Sequence, residues 1–248
     1  MKKIVATTFV AIFTIALLQA QSSEQIIPEV YEVAETKEPI KPDANWDKEQ
    51  WKEVKSVSIT NYMGDIPAFR PKVQTKMVYD KNNLYVIFRV EDKHVKSITD
   101  RNNGPVYKDS AVEFFFSPDV ENPRLYFNIE TNCGGKALFH HNNPIDRSLN
   151  KRLTDEDIAQ LEIAHSMPAI VDTEITDEVT WTIEYKVPLA LLKRYSEVTT
   201  PAKDVEWRAN FYKIAEITSN PHYITWSKID RPVPNFHVPE NFGRIIFK

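Results

Sequence analysis

A period of two dominates this chain, and it admits one kind of backbone. From Asn83 to Asp92, Leu84, Val86, Phe88 and Val90 alternate with Tyr85, Ile87, Arg89 and Glu91. Further on, Leu125, Phe127 and Ile129 alternate with Arg124, Tyr126, Asn128 and Glu130, and Trp181, Ile183, Tyr185 and Val187 alternate with Thr182, Glu184 and Lys186. Residues 207–216, 223–228 and 244–248 complete the set. Successive side chains of a strand point to opposite faces, so these runs, broken by Asn, Asp and Pro, predict about ten strands. Helical signals are confined to residues 46–54, 154–160, where Thr154 precedes three acidic residues, and 188–195, where a proline suits the first turn. Many short strands with few helices predict an all-β fold, a sandwich of two sheets.

The N-terminus carries a different pattern. Lys2 and Lys3 precede an apolar run from Ile4 to Leu18, and Ala20 offers a small residue at a cut. That run is short for a bilayer span, so residues 1–20 are expected to be a cleaved signal peptide of a secreted or periplasmic protein. Residues 21–39 are acidic without a clean period and are expected to form a leader or linker. The folded domain is then expected over residues 40–248. Net charge is -4, which offers no field for nucleic acid or anionic lipid. The chain has only five glycines, and no phosphate-cradling glycine loop occurs. Cys133 is the single cysteine, so no intrachain disulfide forms, and it is expected to pack as a small buried hydrophobe.

Glu113 is the residue that the strand pattern does not explain. It stands inside the run Val112-Glu113-Phe114-Phe115-Phe116, and a carboxylate is costly to bury without a partner. Asp109, Glu113 and Glu130 are the carboxylates on which a glycoside hydrolase would draw. His140 and His141 are adjacent and on a strand would point apart, so a solvated or capping role is expected. The stretch Asp43, Asn45, Asp47 opens like a calcium loop. Lys48 stands where the turn glycine belongs and Val54 where the bidentate glutamate belongs, leaving a looser calcium site as the alternative. The polar faces of two strands are more informative. Arg124, Tyr126, Asn128 and Glu130 share one, and Arg208, Asn210, Tyr212 and Glu216 share the other. Forked donors and acceptors mixed with tyrosines suit a hydroxyl-rich ligand that is also stacked on its C–H face.

The segments PVYKDSAVEFFF, LYFNIE, WTIEYKVP, WRANFYKIAE, ITWS and NFHVPENFGRIIF, in this order, resemble the family 9 carbohydrate-binding modules of the DOMON-like type. PIKPDANWDKEQWKEV resembles the family's opening strand and helix. The resemblance implies an immunoglobulin-like antiparallel β-sandwich that binds a glycan without catalysis, in association with polysaccharide breakdown and with a glycoside hydrolase as partner. It also implies that a structural calcium ion is an option. Two family tryptophans that hold the sugar are matched here by Tyr107 and Phe236. Glu113 falls on the family's glutamate and Asn128 on an asparagine. Tyr126 stands where the family has an arginine, for which Arg124 on the same face is the candidate substitute. Arg208 and Asn210 complete the expected ligand face. The resemblance also implies that Val112, Phe114 and Phe116 face the core, with Ala111, Glu113 and Phe115 on the ligand side. The rivals are a hydrolase using Asp109, Glu113 or Glu130 and a DOMON-like module that binds haem or a protein.

Overall fold

The computed structural model describes residues 27–248; the expected signal segment lies outside them. Six strands come first: β1 (Val30–Glu35), β2 (Val57–Ile59), β3 (Asn61–Met63), β4 (Lys72–Tyr79), β5 (Asn83–Asp92) and β6 (Val95–Ser97). A hairpin series follows, with β7 (Ala111–Ser117), β8 (Tyr126–Asn132), β9 (Ala137–Asn142) and β10 (Lys151–Arg152). Then come β11 (Ala164–His165), β12 (Val171–Ile175), β13 (Val179–Pro188), β14 (Glu206–Ala215), β15 (His222–Thr225) and β16 (Gly243–Phe247). Three short helices, α1 (Glu49–Lys52), α2 (Asp155–Ala159) and α3 (Leu189–Leu192), fall inside the three stretches where the sequence signals them. Thr154 caps α2 through a reciprocal box with Asp157, which satisfies two otherwise free N–H groups.

The strands form a β-sandwich. One sheet runs β10-β9-β8-β7-β14-β16-β1, and β15 continues along the edge of β14 beyond β16. The other runs β1-β4-β5-β13-β11, with β2 also on β4. β1 belongs to both: Val30 to Val33 pair with β16, and Ala34 and Glu35 pair with β4. Both of these ladders are parallel, so the antiparallel pattern is broken where β1 joins the sheets. β1 also corrects the expectation of a linker over residues 21–39. Tyr31 and Val33 are buried while their neighbours are exposed, so this acidic stretch has a strand's alternation after all.

Alternation decides what fills the interior. Leu84, Val86, Phe88 and Val90 of β5 face Val112, Phe114 and Phe116 of β7 and Phe211 of β14 across the main core. Phe114 stacks on Phe211 with centroids 4.9 Å apart, and on Phe116 at 4.5 Å. Cys133 is in this core, and burial pushes its thiol up to about 12, which keeps it an unreactive thiol. Each sheet also has a covered outer face. Residues 40–54 lie over Tyr85, Ile87 and Val78. The segment from Ile229 to Phe242 lies over Ala111, Phe115, Tyr126 and Tyr212. The second cover builds the candidate site.

Candidate functional site

Register brings the site together. Glu113 of β7 is paired with Glu130 of β8, and Glu130 with Leu138 of β9. In the next row Phe115 is paired with Asn128 and Asn128 with His140. These rows floor a cavity of about 340 Å³ lined by Glu113, Asn128, Glu130, Leu138 and His140. Its rim comes from three other places. A short turn at Val106–Lys108 contributes Tyr107, the end of β14 and the start of β15 contribute Ile214, Glu216 and Tyr223, and the covering segment contributes Pro234 to His237. Asp109 anchors the Tyr107 turn, accepting the N–H groups of Ile98 and Thr99 and the Asn132 side-chain amide at 2.8 Å. That carboxylate has a structural task and does not line the cavity, so of the three hydrolase candidates only Glu113 and Glu130 meet there.

Four of the expected ligand residues converge: Tyr107, Glu113, Asn128 and Phe236 all line this cavity. Phe236 is 6% exposed and stacks on Tyr212, with centroids 4.2 Å apart and planes within 15°. One face of its ring is therefore backed by protein and the wall is rigid. Tyr126 lies one row further along, lines an adjoining hollow, and shares a 2.7 Å hydrogen bond between its hydroxyl and His237 Nδ1.

The remaining three lie elsewhere. Arg124 is exposed in the turn before β8. Arg208 bonds the Phe242 carbonyl at the far end of β14. Asn210 is fully buried, donating to the Ser227 carbonyl and accepting the Ser227 N–H. Asn210 does point to the expected face, in register with Phe115. Ser227, just ahead of the covering segment, takes its amide before a ligand can. Arg208 and Asn210 tie down that segment instead of lining the site.

Sequence reasoning put Glu216 on a ligand face but missed Tyr223, His140 and His237 as cavity residues. His140 and His141 do point apart, as expected: His140 lines the cavity, while His141 packs on Phe127 at 4.8 Å in place of solvent. Only the hairpin register between β8 and β9 shows that His140 belongs beside Asn128.

Burial sets the electrostatics. The Asn128 amide donates to Glu130 Oε1 at 2.7 Å, and the Asn142 amide donates to the Asn128 carbonyl oxygen at 2.5 Å. Glu130 Oε2 has no partner. Burial raises the Glu130 carboxyl to about 7, with the Asn128 bond opposing and Glu216 adding to the rise. Burial and the carboxylates of Glu130 and Glu216 push Glu113 well above the ordinary range. Two adjacent carboxyls in one dry site cannot both ionise cheaply. Burial holds both His140 and His237 down to about 4, so neither carries charge near neutral pH.

The chain belongs to carbohydrate-binding family 9, which matches it over residues 43–247. Three solved structures share its fold at low identity. A proposed carbohydrate-binding protein from Bacteroides uniformis ATCC 8492 is 21% identical with a TM-score of 0.80, over 90% of this chain and 100% of that one. A family 9 module from Caldicellulosiruptor kristjanssonii in complex with cellotriose is 15% identical with a TM-score of 0.61, over 89% and 94%. The same organism's module in complex with glucose gives 16% and 0.57, over 89% and 96%. No curated protein matches the chain by sequence.

The calcium alternative does not fit the Asp43 loop. Lys48 Nζ sits 2.9 Å from Asp43 Oδ1 and 2.6 Å from Glu184 Oε1, so an ammonium already supplies the positive charge there. Among the described residues no three side chains group as metal ligands.

Proposed function

We propose that this protein binds a glycan non-catalytically in the cavity between Tyr107, Glu113, Asn128 and Phe236. One observation carries the reading. Four residues picked out by resemblance, from three separate stretches of chain, meet in one cavity sized for a small ligand. The aromatic rings offer flat apolar walls to sugar C–H groups, and Glu113 and Asn128 offer acceptors and donors to hydroxyls. A hydrolase would require a nucleophile or base held ionised beside an acid. Here burial raises both Glu113 and Glu130, so neither is favoured as the ionised member. The cluster of Ser219, His94 and Glu174 does not form a relay either. Hydroxyl and carboxylate meet the same ring nitrogen, His94 Nδ1, at 2.7 and 3.0 Å, whereas a relay needs them on opposite nitrogens.

A glycan array followed by calorimetry tests the site. Tyr107→Ala is expected to weaken binding by about 1 kcal/mol beyond lost area, and Glu113→Gln by about 1.5 kcal/mol, roughly tenfold in Kd. Both variants should keep the wild-type melting temperature. Wild-type affinity for all glycans after both changes would place the site elsewhere.

The protein's setting is part of the same proposal: export through the N-terminal segment, and support of polysaccharide breakdown alongside a glycoside hydrolase. Lys2, Lys3 and the apolar run after them motivate it. No helix among the described residues is long and apolar enough to cross a membrane. Native material from outside the cytoplasm should have an intact mass that starts near Gln21. Cytosolic protein that retains Met1 would contradict export.

A further inference from the structure

The cavity holds carboxyl groups without a cation. Glu113, Glu130 and Glu216 all line it, and no lysine or arginine does. Elsewhere three of this chain's buried carboxylates are matched with cations. Glu184 faces Lys48, Asp92 faces Lys213, and Asp157 takes Arg194 at 2.7 Å. Glu130 has no such cation: it is 5% exposed with Oε2 unpartnered, a costly state for a buried oxygen. Arg147 lies in the adjoining hollow with Tyr126, and that hollow meets the cavity at His140, Asn235 and His237.

We propose that the sugar for this cavity carries a free amino group, whose ammonium sits among Glu113, Glu130 and Glu216 while its ring lies against Tyr107 and Phe236. This rests on the glycan reading of the same cavity. The aromatic walls suit the charge as well as the ring, because the negative face of an aromatic attracts a cation. A carboxylated sugar would meet like charge and is disfavoured.

Protons give the proposal a second signature. Below pH 7 the Glu130 carboxyl is largely protonated. An ammonium bound there stabilises the carboxylate, so the O–H proton leaves to solvent as the ion pair forms. Affinity for the amino sugar therefore rises with pH up to about 7, and binding below that releases protons. The other groups around the pair do not change charge in this range. His140 and His237 stay neutral. Tyr212, paired with Glu113, and Tyr223, which donates to Glu216, are both raised and keep their protons.

The test is calorimetry on the mature chain with glucosamine, glucose, N-acetylglucosamine and glucuronic acid, at pH 5.5 and pH 7. Glucosamine is expected to bind about tenfold or more tightly than glucose at pH 7, the gain of one charge-assisted contact. The preference should shrink at pH 5.5, and glucuronic acid should be weakest. Glu130→Gln should remove the glucosamine preference, so that glucosamine and glucose then bind alike. If that variant does not fold, Glu216→Gln, at the half-exposed rim, should reduce the preference in its place. Glucose and glucosamine binding equally well at pH 7 would overturn the amino preference and leave the glycan site standing. Binding of no sugar, by these or on the array, would overturn both.

Discussion

Glu184→Ala is expected to lower the unfolding free energy by about 3–5 kcal/mol, the usual cost of stripping one partner from a buried charge pair. The Glu184 side chain is 1% exposed and closes four contacts from the covering segment of residues 40–54. Oε2 accepts the Asp43 and Ala44 N–H groups, each at 2.9 Å. Oε1 accepts the Trp51 indole N–H at 2.9 Å and pairs with Lys48. Alanine would leave Lys48, 11% exposed, without its shorter ion pair and would strand three N–H donors. Glu184→Gln should cost less, because an amide oxygen can still accept. Urea unfolding checks both. A loss below 1 kcal/mol for alanine would mean that Glu184 does not hold this segment to β13.

The second large effect belongs to an ion pair between the sheets. Asp92 ends the inward row of β5, and Lys213 continues the inward row of Trp207, Ala209 and Phe211 on β14. They are 1% and 0% exposed, with Nζ 3.2 Å from Asp92 Oδ2. The contact is an ion pair without hydrogen-bond geometry, and Oδ2 has no other partner. Lys213 Nζ also meets His222 Nε2 at 2.8 Å and the Ile214 carbonyl at 3.0 Å. Burial lowers the ammonium's pKa and Asp92 opposes that. Asp92→Ala should therefore cost about 3–5 kcal/mol, whereas replacing both members by Leu and Met should come close to neutral. A double variant as unstable as the single one would show that the pair itself, not the stranded charge, is what the fold requires.

The fold was largely legible where period two was unbroken. β5 and β13 fall on the residues whose alternation marks them, and β7 divides its faces as the resemblance implies, with Phe114 inward and Glu113 toward the cavity. β1 was missed because Glu32, Ala34 and Glu35 lower its strand propensity, although Tyr31 and Val33 keep the period. The two ends of β1 pair with strands more than forty residues away or near the C-terminus, and no local pattern encodes that.

The candidate site was legible in half. Tyr107, Glu113, Asn128 and Phe236 were reached by motif position. Glu216 was marked by the alternation of its strand, whereas His140 and Tyr223 join them only through pairing between strands. Arg208 and Asn210 misled for a physical reason. Their alternation marks an outer face correctly, but alternation is silent on what covers it. Here Phe242, at the end of the covering segment, and Ser227, just before its start, take their hydrogen bonds.

The central claim is that the cavity over β7 and β8 holds a sugar ring, and a crystal soaked with the best sugar from the array tests it most directly. The account predicts density for a ring in van der Waals contact with Tyr107 and Phe236, with hydroxyl or amino groups within hydrogen-bond distance of Glu113 and Asn128. A sugar bound in another hollow, such as the one beside Asn61, Gly64 and Ile229, with this cavity left to water, would contradict it.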